Sequence, residues 1–305
     1  MGRGIESVFI PVVDMNKIKF PGEMEKMMGA CMEWGCFRLI NHGIPAPLMR
    51  EMKAVSRSFL DLPMDVKERN FNPIGRRGYT APHQVTPVFE ALACHDMAAP
   101  GALQDFFDQL AASPRQREVM SEYSEAIHDV SNMVARKLAQ GLGLKENDIF
   151  SEWPCLLKMN KYNYTREYIG STGVYLHTDP GFITVLQDDE LVGGLEVVHR
   201  ETGQYVYVDP LPDSLIINLG DLAAIWSNGR LWNARHRVQC YEGKVRISIV
   251  LFMFGAKEGE VSAPEEFVDS EHPRLYKPIN ADEYWSLRIA NRSSTGAVDL
   301  LRLDN

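Results

Sequence analysis

Apolar residues recur at helical spacing through the first half of the chain and at strand spacing through the second. Residues 23–34 place Met24, Met27, Met28 and Cys31 on one face, as an amphipathic helix does. Residues 45–60 repeat the pattern with Leu48, Met49, Met52, Val55 and Phe59. The longest periodic stretch covers 114–142. Val119, Tyr123, Ala126, Ile127, Val130, Val134 and Leu138 share its face, and Gly141 and Gly143 supply stop signals. A short apolar run at 8–13 predicts a strand ahead of these helices. The period then changes. Segments 158–164, 194–198, 205–208, 214–219, 235–240 and 245–254 are short and rich in Val, Ile, Leu and Tyr. Turn signals such as Asp179-Pro180-Gly181, Ser227-Asn228-Gly229 and Glu242-Gly243-Lys244 separate them. Strands so spaced predict a β-sandwich or barrel. Residues 72–110 show weak periodicity with several Pro and Gly, which predicts a long functional loop.

The length of 305 residues, at about 150 per domain, suggests two domains. The pattern favours one, spanning 1–305: a mainly helical part at 1–150, a β core at 155–260, and a C-terminal helical extension at 261–305. Within that extension Tyr284, Trp285 and Leu287 have helical spacing. A hydrophobic share of 45% is enough for a large core and excludes disorder as the main state. The net charge of -9 opposes nucleic-acid binding, which wants a basic surplus. Five cysteines with no Cys-x-x-Cys pair are not a disulfide framework and fit reduced thiols in the cytoplasm. Residues 1–7 lack a signal-peptide pattern. Glu6 stands where N-myristoylation needs Ser or Thr. No apolar stretch approaches the length of a membrane span.

The chemistry gathers in the second half. His177 and Asp179 lie two apart, so in extended chain both side chains point the same way. His236 follows in an alternating run. Two His and one carboxylate form the facial triad of non-haem iron(II) oxygenases; zinc fits the same donors chemically. Arg246 and Ser248 share one face of the last strand, with Val245, Ile247 and Ile249 on the other. A guanidinium forks onto a carboxylate, and a hydroxyl adds a further bond. Asn160 and Tyr162 are likewise two apart. A cosubstrate with a distal carboxylate and a metal-chelating keto-acid end suits this set.

In these residues the chain resembles the plant 2-oxoglutarate- and iron(II)-dependent dioxygenases. The likeness runs from Ile10-Pro11-Val12-Val13-Asp14 and Trp34-Gly35-Cys36-Phe37, with Asn41-His42-Gly43-Ile44, through Phe59-Leu60-Asp61-Leu62-Pro63 and His177-Thr178-Asp179. It continues in Asn218-Leu219-Gly220-Asp221, Ser227-Asn228-Gly229, His236-Arg237-Val238 and Arg246-Ile247-Ser248. The resemblance implies an α+β, β-rich fold: a double-stranded β-helix (jelly roll) core flanked by α-helices. It implies iron(II) held by His177, Asp179 and His236. It also implies 2-oxoglutarate held by Asn160, Tyr162, Arg246 and Ser248, dioxygen as the second cosubstrate, and ascorbate as an accessory. His42 is structural in that family.

Gly78-Tyr79-Thr80-Ala81-Pro82, Val88-Phe89-Glu90-Ala91-Leu92 and His95-Asp96-Met97 resemble the auxin-oxidising branch of the family. That branch implies conversion of indole-3-acetic acid to 2-oxindole-3-acetic acid. The alternative is a gibberellin or other specialised-metabolite hydroxylase. Phe252-Met253-Phe254-Gly255-Ala256 departs from many members, which carry a Pro there. An aromatic acid wants an apolar slot and one cation. Tyr79 and Pro82 are candidates for the wall, Arg77 for the charge, and Phe182, Phe252 and Phe254 for aromatic surface. The blander expectations are a solvated Arg76-Arg77 pair and core phenylalanines. The expected partner is a small molecule, with no nucleic acid, no membrane and no protein partner readable.

Overall fold

The computed structural model describes residues 9–72, 77–145, 150–291 and 294–304. Eleven strands and seven α-helices alternate along these residues. The chain opens with β1 (Val12–Asp14), α1 (Pro21–Glu33), β2 (Cys36–Ile40), α2 (Ala46–Leu60) and α3 (Met64–Lys67). It continues with β3 (Phe89–Cys94), α4 (Ala102–Gln109), α5 (Pro114–Gly141), β4 (Cys155–Tyr162), β5 (Thr172–His177), β6 (Ile183–Gln187) and β7 (Leu195–Val198). It ends with β8 (Tyr205–Tyr207), β9 (Leu215–Leu219), α6 (Asp221–Trp226), β10 (His236–Gln239), β11 (Arg246–Met253) and α7 (Ala281–Ala290). The long helix α5 starts on a reciprocal cap. Ser113 Oγ accepts from the Gln116 amide at 3.4 Å, and Gln116 Oε1 accepts from the Ser113 amide at 2.8 Å, satisfying two orphan donors of the first turn.

Two sheets form. The larger runs β1-β2-β9-β6-β11-β4-β3 and the smaller β5-β10-β7-β8. Among the described residues, only β1 and β2 pair in parallel. The alternation along β11 shows how the layers stack. Ile247, Ile249, Leu251 and Met253 join a core with Met27 of α1, Met49 and Met52 of α2, and Val134 and Leu138 of α5. Val250, on the opposite face, joins Leu186 and Ile216 of its own sheet and Leu195, Val197 and Val206 of the smaller one. Helices therefore cover one face of the larger sheet, and the smaller sheet covers the other. Arg246, Ser248 and Phe252 share the Val250 face and point between the sheets.

The three long helices lie where their periodicity puts them. The expected loop at 72–110 instead contains β3 and α4. Strand β3 has five of its six residues buried, so it lacks the polar–apolar alternation that marks a half-exposed strand. Strands β2, β5 and β6 also escape the pattern, and β6 is buried along its whole length. The strand expected at 8–13 begins at Val12; Val8 and the segment with Glu6 lie outside the described residues, as does Arg76. Residues 261–304 hold α7 and two 3-10 turns, tied by the bridges Val261–Ile279 and Tyr276–Arg302. All five cysteines are buried and unpaired. Among the described residues, no helix is long and apolar enough to cross a membrane.

Candidate active site

Strands β5 and β10 pair with His177 directly opposite His236. The rings sit 4.2 Å apart between centroids. Asp179 follows two residues beyond the end of β5. His177 Nε2 lies 3.5 Å from Asp179 Oδ1, and His236 Nε2 lies 3.8 Å from the same oxygen. One ligand atom from each residue falls within 4.8 Å of the others. This donor set can hold one metal ion.

The surroundings orient each donor. His177 Nδ1 is 2.8 Å from the Tyr175 carbonyl oxygen, and His236 Nδ1 is 3.1 Å from the Ala234 carbonyl oxygen. Each carbonyl can only accept, so both rings carry a proton on Nδ1 and leave the Nε2 lone pair for the metal. Thr184 Oγ1 donates to Asp179 Oδ2 at 2.6 Å and leaves Oδ1 turned to the histidines. Burial pushes the His236 imidazolium down to about 4, aided by His177, so this ring is neutral and ligand-ready near pH 7. Burial alone would raise the Asp179 carboxyl. The attraction of His236, with His177 and Thr184 bonded to it, outweighs burial and holds it well below its usual range.

The loop carrying Asp179 is clamped from behind. The amide of Asp221 donates to the Asp179 carbonyl oxygen at 2.8 Å. A Cβ on Gly220 would lie 2.1 Å from the Gly181 carbonyl oxygen, so that approach requires glycine. From α7, Arg288 pairs with Asp221 and donates to Thr178 Oγ1 at 3.1 Å and to the Thr178 carbonyl oxygen at 2.8 Å. Tyr284 donates to Asp221 at 2.5 Å and Asn233 at 2.6 Å. The residue between the two ligands of the His-x-Asp pair is thus bonded to the C-terminal helix.

A second polar group lies on the larger sheet. Antiparallel pairing sets Arg246 opposite Tyr162 and Ser248 opposite Asn160. Asn160 Nδ2 donates to Ser248 Oγ at 3.3 Å. The Arg246 guanidinium lies over the Tyr162 ring, 4.8 Å from its centroid. Arg246 is 1% exposed and pairs through Nη2 with Asp188. Its Nε and Nη1 are buried with no protein partner. Two buried guanidinium donors without an acceptor fit an incoming carboxylate, such as the distal end of 2-oxoglutarate.

The substrate candidates scatter. Phe182 is fully buried among Phe150, Trp153 and Trp226, with ring centroids 5.1–5.3 Å away; it is a core residue. Tyr79 donates to Glu90 at 3.3 Å beneath the Lys67 ammonium, and Pro82 is exposed. Arg77 is not solvated. It is 3% exposed, bonds Asp282 at 2.5 Å, and stacks over Phe254 and Trp285. Its charge is therefore matched within the protein. Phe252 and Phe254 do meet, joining Ala93, Leu156 and Trp285 in one apolar cluster. Register places Phe252 beside Thr184, next to the Asp179 donor. His42 is buried, its Nδ1 accepting from the Ile44 amide at 3.2 Å.

Sequence reasoning missed Thr184, Asp188, Asp221 and Arg288. Only Asp221 had a signal, as the end of Asn218-Leu219-Gly220-Asp221; Thr184 is five residues from Asp179 but belongs to no motif, and Asp188 and Arg288 act through partners 58 and 67 residues away.

Comparison with known proteins follows the same lines. The family model for the 2OG-Fe(II) oxygenase superfamily matches residues 153–255. The model for the N-terminal region of non-haem dioxygenase in morphine synthesis matches residues 10–127. The 2-oxoglutarate-dependent dioxygenase DAO of Oryza sativa is 45% identical over 292 residues, covering 95% of this chain and 97% of that one. The crystal structure of the rice dioxygenase for auxin oxidation superposes with a TM-score of 0.89 at 44% identity, covering 96% of this chain and 100% of that one. The 2-oxoglutarate complex of dioxygenase for auxin oxidation 1 from Arabidopsis thaliana gives 0.84 at 48% identity, covering 87% and 100%. With that breadth of likeness added to a His-Asp-His donor set facing a buried arginine, the chain belongs to the 2OG-Fe(II) oxygenase superfamily and is a 2-oxoglutarate-dependent dioxygenase that uses iron(II).

Proposed function

We propose that the protein oxidises auxin, converting indole-3-acetic acid to 2-oxindole-3-acetic acid. In this reading His177, Asp179 and His236 hold iron(II). Arg246 and Ser248 hold the C5 carboxylate of 2-oxoglutarate, with Asn160 and Tyr162 beside it. Bound iron(II), with 2-oxoglutarate and dioxygen, supplies the oxidising chemistry: one oxygen atom enters the substrate, the other ends in succinate, and carbon dioxide leaves. The chain's own residues orient the reactants and keep water out. The observation that carries the substrate reading is the aromatic cluster of Phe252, Phe254 and Trp285, placed by register beside the Asp179 donor. An indole ring needs such an apolar slot. The rice and Arabidopsis relatives named for auxin oxidation support the same choice.

The test is anaerobic loading with iron(II), 2-oxoglutarate and indole-3-acetic acid, followed by oxygen and mass analysis. A product one oxygen atom heavier, formed with equimolar succinate, is expected. Succinate release coupled to a gibberellin or a flavonoid but not to indole-3-acetic acid would replace this reading with the specialised-metabolite one. We place the protein in the cytoplasm, where five buried, unpaired thiols remain reduced. Ascorbate serves as an accessory reductant. We read residues 1–305 as one catalytic unit, with Phe254 rather than Tyr79 or Pro82 walling the slot.

A further inference from the structure

Arg77 carries more donors than its partners use. A guanidinium has five N–H groups and no acceptor. Nη2 donates to Asp282 at 2.5 Å, and Nη1 donates to His95 Nε2 at 3.3 Å. Nε is buried with no partner. Because Arg77 can only donate, His95 Nε2 accepts, and the ring proton sits on Nδ1. Burial, with the Arg77 charge beside it, pushes the His95 imidazolium down and keeps the ring in this neutral form. Its Nδ1 is also buried with no partner, as is Nε1 of Trp285, the ring over which Arg77 stacks. Three buried donors around one guanidinium thus lack an acceptor.

A cavity of about 70 Å³ opens beside them, with Arg77, His95, Phe254, Lys257 and Asp282 in its lining. Among the described residues lining it, only Arg77 and His95 leave a buried side-chain polar atom unmatched, and both atoms are donors. Buried donors need acceptors, and a carboxylate is a group that only accepts. The size agrees. A dry cavity of about 150 Å³ houses a benzene ring, so this smaller space suits a carboxylate and leaves an indole to the cluster of Phe252, Phe254 and Trp285. Phe254 belongs to both, so the acid end and the ring end of one ligand would adjoin. Asp282 already shows what the site takes. Its side chain is 67% exposed, yet it reaches an arginine that is 3% exposed. The other lining carboxylate, Asp96, bonds Lys257 at 3.2 Å instead.

We infer, resting on the auxin reading above, that Arg77 and His95 bind the carboxylate of the acidic substrate, and that Asp282 is a resident carboxylate competing with it for Arg77. Removing the competitor then improves binding, which loss of a merely structural ion pair does not do. Wild-type protein, Asp282→Asn, Arg77→Met and His95→Phe are assayed with indole-3-acetate and with its neutral analogue indole-3-acetamide, and the 2-oxoglutarate requirement is measured for each. Asp282→Asn should lower KM for the acid by about twofold to fivefold, the scale of a largely exposed ion pair. Arg77→Met and His95→Phe should raise it by about tenfold to a hundredfold, the range for losing a hydrogen bond to a charged group. KM for the amide and the 2-oxoglutarate requirement should stay near their wild-type values throughout. Quenching of tryptophan fluorescence by indole-3-acetate, without turnover, should follow the same order. Asp282 is a surface residue, so its variant decides the matter even if Arg77→Met fails to fold. An unchanged or raised KM for the acid in Asp282→Asn overturns the inference while leaving auxin oxidation standing, and equal shifts for acid and amide overturn it too. If wild-type protein leaves indole-3-acetate unoxidised and unbound, the auxin reading falls and this assignment falls with it.

Discussion

Thr184→Val removes one hydroxyl and keeps the side-chain shape. Thr184 Oγ1 donates to Asp179 Oδ2 at 2.6 Å, and both residues are 3% exposed. No water can replace the lost donor without opening the sheet interface. A hydrogen bond to a charged group contributes about 1.5–3 kcal/mol. Not all of that loss reaches metal affinity, because the same bond forms before metal binds. The part that does is the orientation of Oδ1 toward the two imidazoles. Outer partners of metal ligands typically govern affinity by about 10- to 100-fold. We expect the low end, about tenfold weaker binding, with the remainder appearing as lower stability of the metal-free protein. Titration of metal-free protein with Co(II), followed by its visible absorption, measures the first part; a denaturant melt measures the second. Thr184→Ser retains the hydroxyl and should behave as wild type. Binding within about twofold of wild type in Thr184→Val would refute the view that this hydroxyl sets the carboxylate.

Other perturbations reach different layers of the molecule. Arg246→Ala should raise the 2-oxoglutarate requirement by about a hundredfold or more, because it removes a charged pair and strands Asp188; dioxygen uptake at graded 2-oxoglutarate reads it. Arg288→Met frees a fully buried Asp221 and should cost about 3 kcal/mol in a denaturant melt, with weaker Co(II) binding because Thr178 loses its tie to α7. Glu90 bonds Lys67 at 2.6 Å. Burial pushes its carboxyl up, but Lys67 and Asn163 outweigh that and hold it below its ordinary 4.5. A depressed carboxyl stabilises the fold above that value and ceases to do so as pH falls through its folded value. The stability gap between wild type and Glu90→Gln should therefore be full at pH 7 and close in acid; a constant gap refutes it. Burial raises the Cys94 and Cys155 thiols to about 12, so both should resist a thiol reagent at pH 7 until the protein unfolds.

Legibility followed range in sequence. His177 and Asp179 could be paired on sight because two extended residues suffice to aim them together. His236 needed only a strand of its own, and β10 then brought it opposite His177. Asn160 with Tyr162, and Arg246 with Ser248, were each readable as a pair. That the pairs face one another depends on the β4–β11 register, which no local pattern encodes. Helices α1, α2 and α5 announced themselves because each shows one face to water. Strands β3 and β6 did not, since both faces are covered and the alternation vanishes. Arg77 shows how a local reading misleads. Beside Arg76 it has the look of a solvated pair, yet its partner Asp282 stands 205 residues away and draws it inside.

The division of labour between the sheets explains why the fold suits this chemistry. Both histidines come from the smaller sheet, and the cosubstrate group comes from the larger. On the proposed assignment of these residues the reaction takes place in the gap between two layers, and the spacing of the layers becomes a catalytic variable. Val250, Leu186 and Ile216 meet Leu195, Val197 and Val206 across that gap. Close packing makes such contacts resist small shifts, so the apolar seam holds metal donors and cosubstrate donors at a fixed separation without touching either. Asp179 is the bridge. It leaves β5 of the smaller sheet, is bonded by Thr184 of the larger, and is backed by α6 and α7 through Asp221 and Arg288. A donor held from both layers cannot move with one of them alone.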